Sequence, residues 1–184
     1  MTERTLILGI GNPLMSDEGA GVRVAELLMN GFDFPDGVEV VDAGTMGLGM
    51  LNMFRDTRLI VVVDAIDRTG HPPGTVVRLT PEDLAPNQIM HSLHDIRFVD
   101  VLQAAELCGL KPDAECVGIQ VGSMEQWVTE LTPEVEAALP TAVDAVITIL
   151  AERGVSARQR TSPAATDDGA IISAIRTKDQ MPSA

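Results

Sequence analysis

Three side chains spread over half the chain are of the types that could meet to do chemistry: Glu18, Asp64 and His94. Two carboxylates and one imidazole offer two oxygens and a nitrogen, a donor set that suits a borderline divalent ion and leaves positions open for water or substrate. The same acids and histidine can also act on a bound water with no metal at all. Each has a plainer reading. Glu18 is compatible with the first turn of a helix, where the dipole favours an acid. Asp64 at a strand end is a common Asx-turn residue, and His94 is equally consistent with a histidine held by hydrogen bonds to a loop. His91 competes with His94, and periodicity does not separate them. His71, between Gly70 and Pro72-Pro73, reads as solvent-facing.

The elements that must position these groups are legible in the pattern of apolar residues. Leu6-Ile7-Leu8-Gly9-Ile10 is a short buried-strand run closed by a Gly-x-Gly-Asn-Pro turn. A helix follows, with Ser16 as N-cap, Asp17 and Glu18 in its first turn, and Val22, Ala25, Leu28 and Met29 at helical spacing. Val38 to Val41 is a second strand ending in Asp42-Ala43-Gly44-Thr45, and Met46 to Phe54 suits a short helix. Leu59 to Val63 is the most apolar β-branched run, as a strand covered on both faces would be, and it stops at Asp64. Strands alternating with helices at this spacing predict a parallel sheet between helical layers, with ligands gathered outside the carboxyl ends of the strands. Glu18, Asp42 and Asp64 then fall along one edge, and that coincidence favours chemistry over three separate structural roles.

Thr75 to Leu79 returns too soon for a helical crossover and predicts an antiparallel edge strand. A helix from Ile96 to Leu107, with Ser92 as its cap, places His94 in a first turn facing the cleft. Ala114 to Val121 is a last strand, Met124 to Thr132 a polar loop carrying Trp127, and Thr132-Pro133-Glu134 a strong helix start. That helix runs to about Gly154, with Pro140 as a possible kink. Residues 1–154 are therefore expected to be one α/β domain, and residues 155–184, rich in Ser, Thr, Ala, Asp and Arg, a polar mobile tail.

Bulk properties narrow the class further. The 184 residues suffice for one sizeable core, which must be aliphatic, because aromatic residues make up 3% and tyrosine is absent. A net charge of -14 repels nucleic acid and anionic membrane. Cys108 and Cys116 form no C-x-x-C and read as ordinary buried thiols. No stretch has the length of a membrane span or the form of a signal peptide, so a cytoplasmic location is expected. A serine nucleophile is poorly supported, since Val121-Gly122-Ser123-Met124-Glu125 lacks the closing glycine of a nucleophile elbow. The zincin His-Glu-x-x-His pattern is absent. A nucleotide-binding module at the Gly9 to Gly11 turn is a rival reading. Against it, the third glycine of the dinucleotide fingerprint is replaced by Leu14, and two acids stand where a pyrophosphate would lie.

Gly9-Ile10-Gly11-Asn12 through Asp17-Glu18-Gly19 and Gly21, then Asp42-Ala43-Gly44-Thr45, Val63-Asp64-Ala65, His94-Asp95 and Leu131-Thr132-Pro133-Glu134-Val135 together resemble the hydrogenase maturation endopeptidases. The matched blocks occur in order from about Leu6 to Gly154. Members of that family remove a C-terminal extension from the large subunit of [NiFe] hydrogenases. The resemblance implies a three-layer αβα sandwich with a mixed, mostly parallel five-stranded sheet and one antiparallel edge strand. It also implies a nickel site at Glu18, Asp64 and His94, the nickel being supplied by the precursor of the large subunit, with zinc or cadmium substituting in vitro. Asp42, with the Gly44-Thr45 backbone, becomes a candidate for orienting substrate. Metal-assisted and carboxylate-based, aspartyl-type hydrolysis both remain open at this stage, as does a maturation chaperone that docks without cutting.

Overall fold

The computed structural model describes residues 4–80 and 98–161. Its strands are β1 (Arg4–Ile10), β2 (Phe32–Asp33), β3 (Val38–Gly44), β4 (Thr57–Ile66), β5 (Val76–Leu79), β6 (Asp113–Gln120) and β7 (Arg158–Gln159). Its α-helices are α1 (Ala20–Gly31), α2 (Phe98–Leu107) and α3 (Pro133–Glu152), with 3-10 segments at Ser16–Gly19 and Gly47–Phe54. Five strands form one sheet in the order β3-β1-β4-β6-β5, all parallel except β5, which runs antiparallel to β6 at the edge. This is the expected mixed sheet, with its returning strand where the short connection requires it.

Side chains alternate across the sheet because successive residues of a strand face opposite sides. Leu6, Leu8, Ile60, Val62 and Cys116 face one layer, where α2 and the Gly47–Phe54 segment contribute Phe98, Val101, Met50 and Phe54. The Phe54 and Phe98 rings meet edge to face at 6.4 Å. Ile7, Val61, Val63, Val117 and Ile119 face the other layer and pack on α1 and α3. With both faces covered, β1 and β4 read as continuous apolar runs rather than alternating ones. Each fully buried aliphatic side chain contributes on the order of 1.5–3 kcal/mol, so the core holds together with few aromatic residues.

Close approach between α1 and the sheet depends on two glycines. A β-carbon on Gly9 would strike the Gly21 carbonyl and the Ala25 methyl, and one on Gly21 would strike the carbonyls of Ile10 and Val63. The helix therefore lies directly on the strands that carry the acids.

Several elements differ from expectation. The helix after β1 is preceded by a 3-10 turn, Ser16–Gly19, and begins only at Ala20 with Gly19 as its cap residue. Ser16 caps nothing: it sits at φ 50°, and its hydroxyl donates to the Glu130 carbonyl at 2.9 Å. The segment expected as a short helix after β3 is the 3-10 stretch Gly47–Phe54. β4 continues two residues past Asp64, so Asp64 lies inside the ladder opposite Gly118. Cys108 is exposed in the turn after α2, unlike Cys116, which is buried. Within the stretch expected as a tail, Arg158–Gln159 pairs antiparallel with Phe32–Asp33. His91, Ser92, His94 and Ile96, where the sequence places the start of the helix containing α2, lie outside the described residues, as does the chain beyond residue 161.

Candidate functional site

Glu18 is presented by a turn with almost no freedom. Gly11 lies at φ 143°, and a β-carbon there would run into the Glu18 carbonyl oxygen; one on Gly19 would meet the Pro13 α-carbon. Met15 N–H donates to the Asn12 carbonyl at 3.0 Å, and Glu18 N–H to the Met15 carbonyl at 3.2 Å. The glycines thus let the chain fold back on itself, and Glu18 ends with 2% of its surface exposed. No phosphate cradle is left. The Gly11 amide already donates to the Gly44 carbonyl at 3.0 Å, and Gly9 and Gly21 serve helix packing, so the nucleotide reading is not favoured.

Asp64 reaches the same place from β4. It is 1% exposed, and its Oδ1 has no hydrogen-bond partner among the described residues. Burial pushes its carboxyl up to about 7; the Ala65 amide works against that shift, and the negative charge of Glu18 adds to it. The two carboxyls are therefore close enough for the charge of Glu18 to act on Asp64. A buried carboxylate oxygen without a partner is costly, and a cation or a proton relieves the cost. Two buried acids this close can take up a divalent ion with release of a proton, or divide the roles of acid and base toward a water.

Among the described residues no three His, Cys, Asp or Glu side chains stand together as a metal cluster. Glu18 and Asp64, two of the three donors expected from the sequence, are both buried here, and His94 is outside the described residues. Cys116, beside Asp64, is no nucleophile. Burial and then the Asp64 charge hold its thiol far above the usual range.

Asp42 forms a turn of the kind common at strand ends. It is exposed, and its Oδ1 accepts the Gly44 N–H at 2.9 Å in an Asx turn. A register shift between β1 and β3 carries Gly9 opposite Asp42 and Ile10 opposite Gly44, with Gly44 at φ 45°. The Asp42–Gly44 turn is tied to the glycine turn beside Glu18 through the Gly11 to Gly44 hydrogen bond. Thr45 is exposed next to it.

One residue of this site escaped the sequence reading. Asp17, fully buried, is not a dipole acid but a latch to the segment between β6 and α3. Its Oδ2 accepts from Gly122 N–H at 2.8 Å, Ser123 N–H at 2.9 Å and the Thr132 hydroxyl at 2.9 Å, and its Oδ1 from Thr132 N–H at 2.6 Å. Thr132 does stand at the cap position of α3, yet its hydroxyl is turned to Asp17 rather than to the helix. Ser16 N–H donates to the Val128 carbonyl at 2.7 Å, and Trp127 N–H to the Leu14 carbonyl at 2.7 Å. The turn bearing Glu18 is thereby sewn to residues more than a hundred positions away. The only local hint was the pair of adjacent acids, which does not say which one points inward.

A mostly parallel α/β sheet with a buried acid pair toward its carboxyl edge has the form of a hydrolytic enzyme. The comparisons sharpen this. The hydrogenase maturation protease family matches residues 22–149. The HupD hydrogenase expression/formation protein of Bradyrhizobium diazoefficiens is 37% identical over 169 residues, covering 90% of this chain and 87% of that one. The hydrogenase 2 maturation protease of Escherichia coli is 37% identical over 161 residues, covering 85% and 96%. The solved hydrogenase maturating endopeptidase HybD from E. coli superposes with a TM-score of 0.78 at 35% identity, covering 86% of this chain and 98% of that one. The chain belongs to the hydrogenase maturation protease family. It is accordingly a peptidase, and no helix among the described residues is long and apolar enough to cross a membrane.

Proposed function

We propose that this peptidase removes the C-terminal extension of the nickel-loaded large subunit of a [NiFe] hydrogenase, in the cytoplasm, and that Glu18, Asp64 and His94 recognise the nickel. The observation that supports it most is the buried acid pair, with Asp64 Oδ1 lacking a partner among the described residues beside the charge of Glu18. Here the ion is part of the substrate. Hard oxygens from the two acids and the His94 imidazole suit a borderline divalent metal, and three protein ligands leave room for donors from the precursor. An empty precursor offers nothing to these groups, so coordination reports that loading is complete and fixes the scissile peptide nearby. Water then adds across the peptide bond, activated by the ion or by a carboxylate that takes up its proton, and the amine leaves protonated. The Asp42 turn, with Gly44 half-buried and Thr45 exposed at the same edge, orients the substrate backbone.

The test is the mass of the large subunit after incubation with each single variant, Glu18→Gln, Asp64→Asn and His94→Ala. Each is expected to lower cleavage of nickel-loaded precursor by at least about a hundredfold. Full activity in any of them removes that residue from the site. Thermal stabilisation of the protease by nickel, zinc or cadmium salts is expected as well, and its loss in Glu18→Gln ties the ion to this acid pair.

A further inference from the structure

Beside the glycine turn lies a recess of about 250 Å³ lined by Asn12, Leu14, Met15, Gln126 and Trp127. We propose that Leu14, Met15 and Trp127 form the subsite that takes an apolar side chain of the precursor polypeptide next to the bond to be cut. The proposal rests on placing the hydrolytic site at Glu18 and Asp64.

Three observations carry it. The recess is continuous with the catalytic turn, since Met15 lines it and immediately precedes the Ser16–Gly19 segment that presents Glu18. Its apolar walls are unburied, with Leu14 47% and Trp127 82% exposed. The backbone is also strained to keep them there. Trp127 sits at φ 66°, a region that bulky side chains avoid, and is pinned by its N–H to the Leu14 carbonyl and by the Met15 to Val128 bridge. An indole this exposed adds little to the stability of the free protein, and strain of this kind gathers where a surface is built for contact. The Asp17 latch extends the same rigidity, holding both sides of the recess in register with Glu18.

The occupant follows from the lining. None of the five residues is charged, so a charged partner group finds no counter-ion there, while the amides of Asn12 and Gln126 can meet peptide N–H and C=O groups. The volume falls below the roughly 300–1,000 Å³ typical of small-molecule sites, and it fits one side chain of an extended polypeptide.

Initial rates on nickel-loaded precursor with the full chain test this. Trp127→Ala and Leu14→Ala are expected to raise KM, the former by about tenfold or more, with kcat within about twofold. Trp127→Phe is expected to recover most of the KM. Trp127→Gly relieves the positive φ, so it should raise KM just as much while leaving the thermal midpoint unchanged or higher. An unchanged KM in Trp127→Ala and Leu14→Ala overturns the subsite, and so does a fall in kcat at constant KM. A KM rise seen only in variants of lowered thermal midpoint overturns it as well. Normal cutting by Glu18→Gln would instead overturn the placement of the hydrolytic site, so the two failures are told apart.

Discussion

Asp17 and Glu18 are neighbours of the same chemical type with opposite duties. One carboxylate is saturated by four donors, and the other lies close enough to Asp64 for its charge to raise that carboxyl. Replacing Asp17 by alanine takes away the acceptor of the Gly122, Ser123 and Thr132 amides and of the Thr132 hydroxyl at once. Urea unfolding of Asp17→Ala is expected to show a loss of about 3 kcal/mol, with Asp17→Asn milder because its amide oxygen still accepts while its NH2 group faces donors. Activity should fall in both, since the turn bearing Glu18 loses its anchor. Sequence reasoning saw two first-turn acids behind a serine cap, a local pattern that is identical whether the side chains serve the helix or a loop 105 to 115 residues away. Tertiary hydrogen bonds overrode it at Ser16, Asp17 and Thr132 together.

Elements pin one another in ways that periodicity does not record. No basic side chain lies in the last turn of α1; that place is filled from the far end of the chain. Arg160 donates through its guanidinium to the Met29 and Asn30 carbonyls and to Asp33, and its backbone N–H donates to the Gly31 carbonyl. The Arg160 and Arg158 side chains hold the Asp33 carboxyl below its usual range. Arg160→Ala is therefore expected to lower the thermal midpoint by about 2–4 °C in calorimetry, through the freed α1 terminus. Strands of two residues, β2 and β7, carry no alternation to read, which is why the sequence showed only a loop and a tail there.

At the opposite end of the sheet from the acid pair, Glu115 is clasped by Arg78 and Arg153, which also bind Glu152 and Asp113. Burial raises the Glu115 carboxyl, but the two guanidiniums outweigh it and leave it lowered. A carboxyl lowered in the folded state contributes stability that is full above the ordinary carboxyl range and is lost as pH falls through its folded value. Urea midpoints measured from pH 7 down to 3 should thus drop less steeply for Glu115→Gln than for the unsubstituted protein, from a lower starting value.

For the whole molecule, the three layers and strand sense were legible because Leu6 to Ile10 and Leu59 to Val63 are unbroken apolar runs within β1 and β4, and β5 follows too short a connection for a parallel return. The convergence of Glu18 and Asp64 was legible for the same reason: a parallel sheet gathers its carboxyl ends on one side. Hidden were the fastenings between distant segments, since each is one or two hydrogen bonds with no repeating pattern. Trp127, also the sole indole of a chain without tyrosine, is 82% exposed rather than enclosed in the core. Emission from that ring already resembles that of a solvated dye, so the colour of its fluorescence will hardly change as the sheet and helices come apart. Followed by its fluorescence, this protein will look unfolded before it is, and its melting is better watched through the amide bands of circular dichroism.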